Sequence, residues 1–106
     1  WVTIHKDGEK NAKIVKENST VTIAYNISDF VTGEKFYSSK KQGAKKIHLV
    51  QTDEPHGLVE ALQGKREGVR ATVILLPDKA FGLVGDGEKI IGRRIIRYDF
   101  EILKVE

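Results

Sequence analysis

The stretch from Gly57 to Gly82, GLVEALQGKREGVRATVILLPDKAFG, constrains the fold more than any other part of this chain. It passes from a helical pattern to an extended one with almost no slack between them. Leu58, Val59 and Leu62 recur at near-helical spacing with Glu60 and Gln63 on the other side, so the stretch opens as a short amphipathic helix. Gly64 stands where a helix end favours a residue free to take positive φ. The charged turn Lys65-Arg66-Glu67-Gly68 then delivers the chain into Ala71 to Leu76, a β-branched and aliphatic run short enough for a buried strand. Pro77 ends that run, because proline cannot donate to a central ladder. Phe81-Gly82 opens a glycine-rich loop, and a concave site can form between helix, strand and loop.

The rest of the chain reads as strands to surround that unit. Trp1 to Ile4 is expected as an edge strand closed by the turn Asp7-Gly8-Glu9-Lys10, and Ile14 to Glu17 as a second short strand or a bend. Val21, Ile23, Tyr25 and Ile27 alternate with Thr22, Ala24, Asn26 and Ser28, a strand with one buried face. Thr32-Gly33-Glu34-Lys35 makes a turn, and Phe36 to Ser39 resumes an extended course. Lys40 to Lys46 reads as a bulge or loop around Gly43, before a strand through Ile47 and Leu49 with His48 facing away. Thr52-Asp53-Glu54-Pro55 leads into the helix, where acidic groups suit the dipole and proline is tolerated. Ile96, Tyr98, Phe100 and Ile102 alternate with Arg97, Asp99 and Glu101 in a last strand expected to lie centrally, with Phe100 turned away from Tyr98. Strands joined by turns, with one helix laid over them, predict an α+β antiparallel fold in a single domain, 1–106.

Composition narrows the chemistry. The chain has 106 residues and no cysteine, so disulfides, thiol catalysis and cysteine metal sites are excluded. No apolar run approaches the ~20 residues of a membrane-spanning helix. The net charge is +3, but Lys40-Lys41, Lys45-Lys46, Lys65-Arg66 and Arg93-Arg94 form no stripe with interleaved aromatics, so no nucleic-acid partner is expected. His5, His48 and His56 lie far apart and in no ligand spacing, and no metal site is expected. The acidic pairs Asp53-Glu54 and Asp86-Gly87-Glu88 have no visible partner for acid–base work. The sequence opens on Trp1 rather than Met, as an excised or processed piece would, leaving any targeting segment out of view.

The aromatic residues say more. Of the eight, Tyr25, Phe36, Tyr37, Phe81 and Tyr98 fall in strands, at strand ends or at the loop. Pattern alone leaves two readings open, a plain core with an aromatic rim or the lining of a pocket.

From about Val21 to Glu106 the sequence resembles the FKBP family of peptidyl-prolyl isomerases, through VTIAY, TGEKFYSS, GLVEALQGKREG, LLPDKAFG and RYDFEILKVE in order and at nearly constant spacing. GDGEKIIG, after the flap, is similar to the lipoprotein members associated with gliding motility in Bacteroidetes. The resemblance implies a five- or six-stranded antiparallel sheet wrapped around one short helix. It also implies isomerisation of X-Pro bonds in proline-containing peptides or unfolded protein segments, without cofactor or metal. By the same resemblance Tyr25, Phe36, Tyr37, Phe81 and Tyr98 form the catalytic pocket, and Glu54, Pro55, Leu58, Ile90 and Ile91 contact substrate. The chain departs from the family pattern at several of these positions. Tyr37 stands where the family has a pocket aspartate, Leu58 where it has a floor tryptophan, and Phe81 where it has a flap tyrosine. Pro55 stands where a backbone N–H meets the substrate, and Lys45 where a wall aromatic is usual. The implied protein is thus a monomeric isomerase of reduced activity, periplasmic or lipid-anchored upstream to the outer membrane, with a cytoplasmic location left open. The alternative is a non-catalytic binding or chaperone module of the same fold.

Overall fold

The computed structural model describes residues 1–52, 54–77 and 94–106. Asp53, Phe81, the expected 82–89 loop, Ile90 and Ile91 lie outside the described residues. Six strands and two short helices follow in the order β1 (Val2–Lys6), β2 (Thr20–Asp29), β3 (Lys35–Ser38), α1 (Ser39–Gln42), β4 (Lys45–His48), α2 (His56–Leu62), β5 (Arg70–Leu75) and β6 (Ile96–Val105). They form one antiparallel sheet in the spatial order β1-β5-β6-β2-β3, with β4 also paired to β2. The last strand to be made therefore lies in the middle, and β1 is an edge, as the alternation patterns predict.

Alternation along β2 and β6 sets the inner face. Val21, Ile23, Tyr25 and Ile27 are buried on β2, opposite Ile96, Tyr98, Phe100 and Ile102 on β6. The expectation that Phe100 turns away from Tyr98 is wrong. Residues two apart in a strand share a face, and both rings are buried on the same side. Near the end of β6 a bulge interrupts the register between Thr22 and Ile23, so Ile102 and Val105 both stay inward while Leu103 is exposed. Helix α2 supplies Leu58, Ala61 and Leu62 to the same core, and Glu60 faces solvent. Gln63 caps the helix, and Gly64 follows at φ +81°, its N–H donating to the Val15 carbonyl.

Two local readings need correction. Lys40 to Lys46 is not simply a loop: Ser38 accepts a hydrogen bond from the Lys40 N–H and starts one helical turn, which Gly43 at φ +81° ends. Strand β4 then begins at Lys45, and Leu49 lies beyond it. Ile14 to Glu17 is irregular, with one isolated bridge from Ile14 to Arg66. The result at the edge of β2 is one broken strand. Strand β3 pairs with the Asn26 to Ser28 end and β4 with the Thr20 to Ile23 end, while α1 bulges between them. Between the two ladders the Tyr25 N–H is satisfied by the Ser39 hydroxyl at 3.1 Å.

Candidate functional site

The inner face at the β2–β3 end of the sheet is aromatic, and two features of the backbone make it so. Tyr25 pairs with Phe100 and Ile27 with Tyr98, which sets Tyr25 and Tyr98 diagonally across two strands. Their ring centroids lie 6.2 Å apart with the planes tilted by 42°. On the other side of β2, Ile27 pairs with Tyr37 and Ser28 with Lys35, so Phe36 occupies a bulge. A bulge breaks the strict alternation of faces. Neighbouring residues Phe36 and Tyr37 can thereby both reach the core, Phe36 fully buried and Tyr37 packed partly against it. Leu58 of α2 is wholly removed from solvent within the same cluster.

The polar groups around these rings are joined in a chain. The Tyr98 hydroxyl donates to Glu54 Oε1 at 3.0 Å, and Lys45 Nζ bonds Glu54 Oε2 at 3.0 Å. The same ammonium lies 4.4 Å from the centroid of the Tyr25 ring, and the Tyr25 hydroxyl donates to Gln42 Oε1 at 3.4 Å. Burial, reinforced by the Glu54 carboxylate, pushes the Tyr98 phenol well above its ordinary range. Pro55, adjacent to Glu54, is buried and caps α2: its carbonyl accepts from the Leu58 and Val59 N–H groups, and it has no N–H of its own.

The structure thus brings together Tyr25, Phe36, Tyr37, Glu54, Pro55, Leu58 and Tyr98 of the residues expected at the site. Sequence reasoning missed Gln42, which only the α1 turn carries to Tyr25, and the Lys45–Glu54–Tyr98 chain, whose members are distant in sequence. It also missed Asp29, buried at the end of β2. Asp29 accepts from the Val31 and Thr32 N–H groups and pairs with Arg94 at 3.0 Å. Those backbone donors, led by Thr32, and the guanidinium hold its carboxyl below the usual range against the cost of burial.

Other features do not form a competing site. A groove of about 440 Å³ opens where Trp1, Phe30, Ile74 and Arg97 meet, and it shares no residue with the aromatic cluster of Tyr25, Phe36, Tyr37 and Tyr98. Its polar groups already satisfy one another: His5 Nε2 lies 2.7 Å from the Thr72 hydroxyl, which donates to Asp99, itself paired with Arg97 at 3.2 Å. His48 is bonded to Thr20, away from His5. Among the described residues no group of three or more His, Asp or Glu is placed to hold a metal ion. No described helix is long and apolar enough to cross a membrane.

This sheet, its single covering helix and the inward aromatic residues define an FKBP-like fold. The family model for the FKBP-type peptidyl-prolyl cis-trans isomerase matches residues 11–103, and the chain belongs to that family. The crystal structure of FkpA from Escherichia coli is similar in fold, with a TM-score of 0.86 and 22% sequence identity. The likeness covers 99% of this chain and 47% of that one, so this chain spans about half the length of that relative. No curated protein sequence matches the chain.

Proposed function

We propose that the protein is a peptidyl-prolyl cis-trans isomerase acting on proline-containing segments of unfolded proteins, with Tyr25, Phe36, Tyr37, Leu58 and Tyr98 as the walls and floor of its pocket. The observation that supports this reading most is the bulge at Phe36, which turns two consecutive aromatic residues into the core that also holds Tyr25 and Tyr98. Rotation about X-Pro is slow because it breaks amide resonance, a barrier of roughly 18–20 kcal/mol. The twisted amide carries less charge separation than the planar one, so apolar, water-poor walls favour it over either ground state. A ~10⁵-fold acceleration requires about 7 kcal/mol of such differential stabilisation. No nucleophile is needed.

A second reading has its own observation. Glu54 and Lys45 place a charged pair beside Tyr25 and Tyr98, where weakening of amide resonance calls for apolar surroundings. On that reading the cleft holds proline-containing segments without turning them over, as a binding or chaperone module. A protease-coupled assay on short X-Pro peptides separates the two. Isomerisation faster than the spontaneous rate supports the enzyme, and peptide binding with no rate enhancement supports the module.

A further inference from the structure

Lys45 occupies a position that a simple apolar cleft does not explain. It begins β4 two residues before the buried Ile47, so it faces the core side of the sheet, where lysine is seldom found. Its ammonium is held in place by Glu54 Oε2 at 3.0 Å and by the face of Tyr25 at 4.4 Å. Yet its side chain remains 29% exposed and so open to solvent. An ammonium has three donor hydrogens, and a single carboxylate oxygen engages one of them. The neighbouring hydroxyls are committed, Tyr25 to Gln42 and Tyr98 to Glu54, and Pro55 has no N–H to offer. A prolyl segment entering this cleft brings carbonyl groups that lose their water, and a buried carbonyl left without a donor opposes binding.

We propose that Lys45 donates a hydrogen bond to the carbonyl of the substrate proline itself and so anchors the segment beside Tyr25, on the exposed side of the Lys45 ammonium. This inference rests on the isomerase reading above. The chemistry selects that carbonyl. A cation bonded to the carbonyl of the residue before proline would stabilise the planar, dipolar amide and oppose rotation. The proline's own carbonyl takes no part in the rotating bond. Lys45 therefore binds cis, trans and twisted substrate alike, which lowers KM and leaves kcat nearly unchanged.

Steady-state isomerisation of a short X-Pro peptide by the intact chain tests this. Lys45→Met should raise KM about tenfold, on the order expected for loss of a charge-assisted hydrogen bond, with kcat within about twofold. Lys45→Arg should restore KM. Lys45→Met combined with Glu54→Gln keeps an acceptor for Tyr98 without leaving an unpaired carboxylate, and it should show the same rise, so the effect is not one of misfolding. A peptide whose proline carbonyl is replaced by a methylene should bind wild type and Lys45→Met equally. An unchanged KM in both Met variants, with wild type turning over normally, overturns the role of Lys45 alone. A folded wild type that neither binds nor isomerises the peptide overturns the isomerase reading and this inference with it.

Discussion

The Tyr98 hydroxyl donates to Glu54 Oε1 at 3.0 Å from a ring that is wholly buried. That bond ties the central strand to the segment leading into α2, so the two are held as one unit. Tyr98→Phe removes the donor but keeps the packing, and Glu54, only 18% exposed, keeps Lys45. A loss of about 1 kcal/mol in urea melts is expected. The pH dependence follows from the raised phenol. The folded protein retains the proton after the unfolded chain begins to release it near pH 10, so this contribution is complete below pH 10 and falls as pH rises beyond it. Comparing wild type with Tyr98→Phe at pH 8 and pH 11 isolates it from the lysines, and the wild type should lose more.

Asp29 has the opposite sign. Its folded value lies below that of the unfolded chain, so its stabilisation is present above about pH 4 and is lost as pH falls through the folded value. Asp29→Ala removes the partner of Arg94 and of two backbone N–H groups, which water can partly replace, and a loss of about 1–2 kcal/mol at pH 7 is expected. The gap to wild type should narrow as the melts are repeated toward pH 2.

Alternation along β6 makes adjacent residues unequal. Ile102 is buried and Leu103 is exposed. Ile102→Ala should cost about 3 kcal/mol and Leu103→Ala less than about 0.5 kcal/mol. Equal losses at the two positions would contradict the assignment of Ile102 to the inner face and Leu103 to the outer one.

Much of this architecture was legible in the residues. Alternation in Val21 to Ser28 and Ile96 to Ile102 marks strands because each has one buried face, and Pro77 and Gly64 mark ends because their backbone chemistry permits little else. What was not legible depends on contacts between distant residues or on elements too short to show a period. Helix α1 is four residues long and rests on one capping serine. The inward turn of both Phe36 and Tyr37 depends on a register shift against β2 that neither strand announces alone. The Lys45–Glu54–Tyr98 chain unites three segments, and lysine in a polar run gives no sign that it faces inward. The placement of Phe100 opposite to Tyr98 misread the period of a strand rather than lacking a signal.

On the proposed function, these aromatic walls speed rotation about a prolyl bond. Exchange spectroscopy on an X-Pro peptide, with the folded chain far below stoichiometric amounts, measures it without a coupling protease. The spontaneous process takes tens to hundreds of seconds at 25 °C. The account predicts cis–trans exchange well above that rate, and a marked fall for Phe36→Ala in protein that remains folded. Exchange at the spontaneous rate in the presence of folded wild type would contradict it.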